Sequence, residues 1–178
     1  KISYYEAHGT GTLLGDPIEV RAATQIYSEF TGDRQYCGIG SVKANMGHLL
    51  RAAGIASFIK VVLSMKKEMM LQTIHCEKPH PRFNFPSSPF FPVIGSKKWE
   101  GIDGRKRAAI SSFGFGGTNC HMVMEDFSPV QYTGYQLLRY PLGAPQFHKR
   151  IYWLGREITD AKDDFYRQLF EKLQKGEI

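Results

Sequence analysis

The chain has 178 residues, enough for one domain of ordinary size, and its apolar fraction of 42 % suffices for a buried core. No run reaches the about 18 apolar residues that a membrane-crossing helix requires, so no membrane span is expected. The net charge of +6 gathers at Lys97 to Arg107 and at Arg139 to Arg150, and so modest an excess reads as solvated surface rather than as a nucleic-acid interface.

Residues 2–7 are β-rich, and the opening Lys1-Ile2-Ser3-Tyr4 has neither an initiator Met nor a signal-peptide core, so the chain reads as a piece of something longer, entered part-way along a strand. The loop His8-Gly9-Thr10-Gly11-Thr12 follows. Asp16-Pro17 then suits a helix start, with Asp as a cap, and Glu19, Val20, Ala22, Ala23, Ile26 and Phe30 carry an amphipathic pattern to about Gly32. Tyr36–Val42 reads as a short buried strand, and Lys43–His48 as a loop. An apolar helix over 51–65 begins Ala-Ala-Gly-Ile-Ala, which implies close packing against another backbone. Residues 76–107, with prolines at 79, 81, 86, 89 and 92, read as irregular. Strands over 107–113 and 119–125 with Gly114-Phe115-Gly116-Gly117 between them make a hairpin. The division expected is therefore 1–127, an irregular linker over 128–156, and a C-terminal helical segment over 157–178. In the last, Ala161, Phe165, Leu169 and Leu173 recur at helical spacing, with acidic residues first and lysines last.

His8 and His48 each sit in a Gly-rich strand-to-helix junction, where open α/β sheets bind ligands. A histidine there can simply cap its loop. Two in matched junctions suit acyl chemistry, because a neutral imidazole can donate to a developing oxyanion or shuttle a proton. Glu19 and Lys43 could form an ion pair that fixes both loops, or be two surface charges. The Gly114–Gly117 turn could offer backbone donors to an oxyanion, or be only a turn. Cys37, Cys76 and Cys120 are too dispersed for a disulfide framework or a CxxC zinc site, and indicate a reducing compartment, the cytoplasm. Cys37 and Cys120 read as buried structural thiols; no cysteine has a nucleophile's setting, and no GxSxG elbow occurs.

Three runs resemble the β-ketoacyl synthases in the form used by modular polyketide synthases. Glu6–Glu19, EAHGTGTLLGDPIE, is similar to the family's first histidine motif; Ser41–Gly54, SVKANMGHLLRAAG, to its second; and Ser111–His121, SSFGFGGTNCH, to its closing hairpin. The resemblance implies part of the second half of a thiolase-like αβαβα fold. It implies that His8 and His48 complete a Cys-His-His triad, promoting decarboxylation of a malonyl unit and stabilising the enolate. Lys43 and Glu19 would be the supporting ion pair, Thr10 and Thr12 would hydrogen-bond the phosphopantetheine arm, and the Phe115 N–H would join the oxyanion hole. No cofactor or metal would bind directly, since the substrates ride on the phosphopantetheine of acyl carrier proteins. The cysteine would come from an N-terminal ketosynthase part, and a second ketosynthase copy would complete a homodimer. Tyr140-Pro141 and Phe147–Leu154 resemble the wrapping linker that follows such domains, and the absence of an acyltransferase after it resembles trans-acyltransferase systems. The intact His8 motif favours condensation over mere chain transfer. The alternative is a non-catalytic split-domain or docking fragment that serves in assembly.

Overall fold

In the computed structural model, residues 1–127 are described; the linker expected over 128–156 and the helix expected over 157–178 lie outside the described residues. The elements are β1 (Tyr4–Glu6), α1 (Gly15–Phe30), β2 (Cys37–Gly40), α2 (Lys43–Met46), α3 (Ala53–Lys67), β3 (Met69–Met70), β4 (Phe90–Pro92), β5 (Lys97–Lys98), β6 (Arg107–Phe113) and β7 (Asn119–Glu125). The main sheet has the order β4-β2-β1-β6-β7. Its first four strands run parallel, and β7 returns antiparallel beside β6. A two-stranded sheet, β3 with β5, lies apart from it.

β1 is central and all three of its residues are buried, as expected of a strand covered on both faces. Side chains alternate across it and divide the core in two. Tyr4 packs with Val61, Met65, Met70, Val93, Trp99, Ala108 and Ile110 against α3. Tyr5 packs with Val20, Cys37, Ile39, Phe90 and Ala109 against α1. The Trp99 indole N–H donates to Ser3 Oγ at 2.8 Å, so the largest buried side chain satisfies its one polar group.

Several expectations need correction. The proline-rich stretch is not wholly irregular: it supplies β4 and β5. β4 is an edge strand, where proline forfeits little. The Pro89 carbonyl accepts from Cys37 N–H at 3.0 Å, and Val93 N–H donates to Ile39 O at 3.0 Å, on either side of Pro92. Lys43–Met46, expected as loop, forms a helical turn closed by Gly47 N–H donating to Lys43 O. Asp16 does not cap α1; its carboxylate accepts from Gly11 N–H, while Thr12 Oγ1 accepts from Gly15 N–H at the helix start. Cys37 is buried as expected, but Cys120 is exposed, because β7 ends the sheet and nothing described covers it.

The buried side of α3 carries Ala53, Ser57, Lys60, Val61, Ser64 and Met65. Its bulkier apolar residues face out: Ile55 is 56 % exposed, Ile59 and Leu63 each 50 %. α1 likewise leaves Ile18, Ile26 and Phe30 exposed, as is Leu14 just before it. Both helices thus bury one face in the core and leave apolar residues on another in the open.

Candidate active site

The C-terminal ends of the parallel strands bring the motif residues together, as expected for an open α/β sheet. His8 follows β1, Ser41–Lys43 follow β2, and Phe113 ends β6. Pairing of β1 with both β2 and β6 sets these exits side by side.

The His8 and His48 rings stand 5.7 Å apart, centroid to centroid, and nearly perpendicular at 82°. His8 Nδ1 accepts from Phe113 N–H at 3.2 Å, and His48 Nδ1 accepts from Leu50 N–H at 3.0 Å. With each Nδ1 occupied as an acceptor, the proton of each neutral ring resides on Nε2. Both histidines thus present an Nε2–H donor. Phe113 also packs its ring on His8, with centroids 5.3 Å apart. Leu50 adopts φ +51°, a left-handed conformation costly for leucine, in the segment that gives His48 its donor.

Glu19 holds the His8 loop. Its carboxylate accepts from His8 N–H at 2.7 Å, Gly9 N–H at 2.9 Å and Tyr5 O–H at 3.1 Å. Among the described residues, no ion pair joins it to Lys43. Glu19 spends its oxygens on backbone and phenol donors, and Lys43 reaches it only through the field across the cavity they both line. The expected direct ion pair is therefore absent. That cavity, of about 330 Å³, is also lined by Thr10, Asp16, Ser41 and His75, among others. Gly9 borders it at φ +43°, and a β-carbon there would come within 2.8 Å of Ser41 Cβ, so only glycine fits.

Thr10 is exposed at the cavity wall. Thr12 is exposed too, with its hydroxyl oxygen engaged by Gly15 N–H. Phe115 is fully exposed at the tip of the β6–β7 hairpin, and among the described residues nothing accepts from its N–H. Sequence reasoning missed two networks. One is Glu6 with Lys60 and Tyr4, all buried. The other runs from His121 Nδ1 to Ser111 Oγ (2.9 Å), to the Tyr5 hydroxyl (2.8 Å), and so to Glu19. Lys60, at helical spacing with Ala53, Ser57, Val61 and Ser64 on the buried face of α3, was the available signal for the first. Alternation along β1 and β6 was the signal for the second.

Burial, then the charges of Lys43 and His48, push the His8 pKa below its ordinary value, against a smaller opposing pull from Asp16. Burial lowers the Lys43 pKa, and the fields of Glu6 and Glu19 oppose the shift. Burial raises the Glu19 pKa, against the hydrogen bonds from Gly9, His8 and Tyr5. His8 therefore stays neutral to a lower pH than an ordinary histidine, whose midpoint is about 6.5. A step that needs neutral His8 should keep its acid limb below that pH. Folding stability linked to His8 should fall as pH drops below about 6.5, since the unfolded chain there binds more protons. Lys43→Met removes one of the cations, so the His8 titration followed by NMR should move upward; an unmoved midpoint would show that Lys43 does not act on His8.

A parallel sheet with two imidazoles and a Gly-rich hairpin gathered at one strand end defines an α/β segment of the thiolase-like class. Comparison with known proteins sharpens this. Residues 1–77 match the family model described as beta-ketoacyl synthase, C-terminal domain. Over those residues the chain carries β-ketoacyl synthase C-terminal sequence, and it is similar to the ketosynthases of polyketide synthases. It is 50 % identical over 133 residues to "Polyketide synthase PksN" of Bacillus subtilis, a match covering 75 % of this chain and 2 % of that protein. Among solved structures it resembles the ketosynthase from module 6 of the bacillaene synthase of Bacillus subtilis. There the TM-score is 0.70 at 46 % identity, over 72 % of this chain and 23 % of that one. Ketosynthase twelve of the bacillaene polyketide synthase of Bacillus amyloliquefaciens aligns with a TM-score of 0.69 at 50 % identity, over 71 % and 23 % respectively. The chain thus spans about a quarter of the ketosynthases it matches.

Proposed function

We propose that these residues supply the two-histidine half of a ketosynthase active site that performs decarboxylative Claisen condensation. The observation that carries this reading is the pair of Nε2–H donors on rings 5.7 Å apart, each fixed by a backbone N–H at Nδ1. In the reaction, a cysteine thiolate accepts an acyl group from one carrier thioester. A malonyl thioester on an acyl carrier protein then loses carbon dioxide, and its electron pair passes to the α-carbon as an enolate. Two N–H donors aimed at the enolate oxygen lower the cost of that charge. The carbanion attacks the acyl–cysteine carbonyl, the carbon–sulfur bond breaks, and a β-ketoacyl thioester leaves on the carrier protein. His8, kept neutral by burial and by Lys43, donates without carrying charge of its own. Thr10 and Thr12, exposed on the loop, suit the phosphopantetheine arm, and the free Phe115 N–H suits a second oxyanion.

The nucleophile is assigned to the N-terminal ketosynthase part. Burial raises the Cys37 thiol, and it raises that of Cys76 too, so neither is an activated thiolate. The exposed apolar residues of α1 and α3 support the same reading, since they suit the remaining ketosynthase layers. They equally support the second reading, a fragment whose role is assembly. The pairing with a second ketosynthase copy, the trans-acyltransferase setting and a cytoplasmic location belong to this proposal. Among the described residues, no helix is long and apolar enough to cross a membrane.

The test is reconstitution. The chain alone, offered an activated acyl thioester and malonyl-carrier protein, should form no β-ketoacyl product. Combined with an N-terminal ketosynthase part, it should associate and condense. Association without condensation would favour the assembly reading. A soluble folded monomer of about 20 kDa, indifferent to that partner, would overturn both.

A further inference from the structure

Glu6 closes β1 and is fully buried, two residues before His8. One carboxylate oxygen, Oε1, accepts from Val42 N–H at 2.6 Å, immediately before Lys43. The other, Oε2, accepts from Lys60 Nζ at 2.7 Å and from the Tyr4 hydroxyl at 2.8 Å. Lys60 Nζ also donates to the Tyr4 oxygen at 2.8 Å, closing a triangle. Burial first, then the Glu6 charge, raises the Tyr4 pKa well above its ordinary value, so the phenol stays a donor. The arrangement has a direction: α3 holds the ammonium, the ammonium and phenol hold the carboxylate, and the carboxylate holds the backbone from which Lys43 and then His48 depart.

We propose that Glu6, clamped by Lys60 and Tyr4, is a positioning residue for the condensing site, tying the His8 strand to the Val42–Lys43 turn so that the two histidine loops keep a fixed separation. A pair that served stability alone would need no bond to the active-site backbone, and here half of the carboxylate is given to one. Val42 N–H has no other acceptor among the described residues, so without Glu6 a buried donor next to Lys43 is left unsatisfied and the turn is free to shift. Glu6 is also first among the anions whose field favours a charged Lys43. The assignment rests on the condensing function proposed above.

The test uses the complete ketosynthase and two double variants that leave no lone buried charge. Glu6→Ala with Lys60→Met removes the clamp. Glu6→Gln with Lys60→Met restores an acceptor for Val42 N–H. Thiol acylation and condensation are measured separately, beside thermal midpoints. The clamp-less variant should acylate like wild type while its condensation kcat falls by roughly 10²-fold, the effect of a catalytic group displaced by about an ångström. The Gln variant should recover most of that loss at a similar midpoint. Condensation in the Ala variant within about twofold of wild type, a sensitivity that separations of this kind exceed, would overturn the proposal, as would acylation and condensation falling in equal proportion. If the Ala variant does not fold, Tyr4→Phe decides: it keeps the ion pair and the packing, and should lower condensation severalfold with acylation unchanged, whereas an unchanged rate refutes the role. His8→Ala run in parallel separates the two levels. Full condensation by that variant sinks the functional reading itself; loss there with a silent Glu6 series sinks only the clamp.

Discussion

Replacement of His48 by alanine in the complete ketosynthase is expected to lower condensation by roughly 10²- to 10³-fold while leaving acyl transfer to the cysteine near wild type. The magnitude is that of deleting one fixed donor from a site where negative charge develops. The asymmetry follows from where the charge forms. Acylation exchanges one thioester for another and has its own oxyanion, served in this reading by the hairpin at Phe115. In the proposed reaction, decarboxylation places charge on the malonyl thioester oxygen, which the two Nε2–H groups would address. His48 is exposed and makes one backbone hydrogen bond, through Nδ1 to Leu50 N–H, so its removal should not unfold the protein. The partition is read by trapping the acyl-enzyme and measuring carbon dioxide release and β-ketoacyl product in the same preparation. Condensation that survived in His48→Ala would remove it from the mechanism. A variant that neither acylated nor condensed would make His48 a structural residue of its loop.

Much of the site's placement was legible in the sequence, because the motifs are contiguous and the chemistry of each is local. The Gly-rich junctions after two strands placed His8 and His48 at strand ends. The apolar run after Gly114–Gly117 reversed direction where a hairpin should. What escaped was whatever depends on pairing between distant segments. β4 was hidden by prolines, since sequence cannot say that a strand will sit at a sheet edge where a missing N–H is tolerated. The expected Glu19–Lys43 ion pair did not form, since spacing says that two charges come near one another but not which donors reach the carboxylate first. For Glu19 those donors were the amides of its own loop. Cys120 was expected inside because alternation implies a covered face, but β7 lies at the sheet margin, where Met124 reaches the core and Cys120 is exposed. Glu6 belongs to the first motif, yet nothing within that motif points to a partner 54 residues away. The linker and helix expected over 128–178 fall outside the described residues.

Lys60→Met alone is expected to destabilise the complete ketosynthase by about 3–5 kcal/mol, whereas Glu6→Gln with Lys60→Met should cost much less than either single change. Both charges are buried, with Glu6 fully so and Lys60 at 8 % exposure, and desolvation of two ions is nearly offset by their attraction and by the bonds from Val42 and Tyr4. Removing the ammonium leaves a carboxylate in the core between β1 and α3 with two neutral donors and no counter-ion, and the penalty becomes one-sided. Removing both charges removes the penalty with the attraction. Methionine fills the space of the lysine stem beside Tyr4, and glutamine still accepts from Val42 N–H. Denaturant midpoints of wild type, the two single variants and the double variant form a cycle, and the coupling should be large and favourable to the intact pair. Additive single effects would mean that water reaches the pair and that α3 does not seal it. That outcome would also weaken the clamp, since a carboxylate free to exchange its partners for water could not fix the turn that carries Lys43.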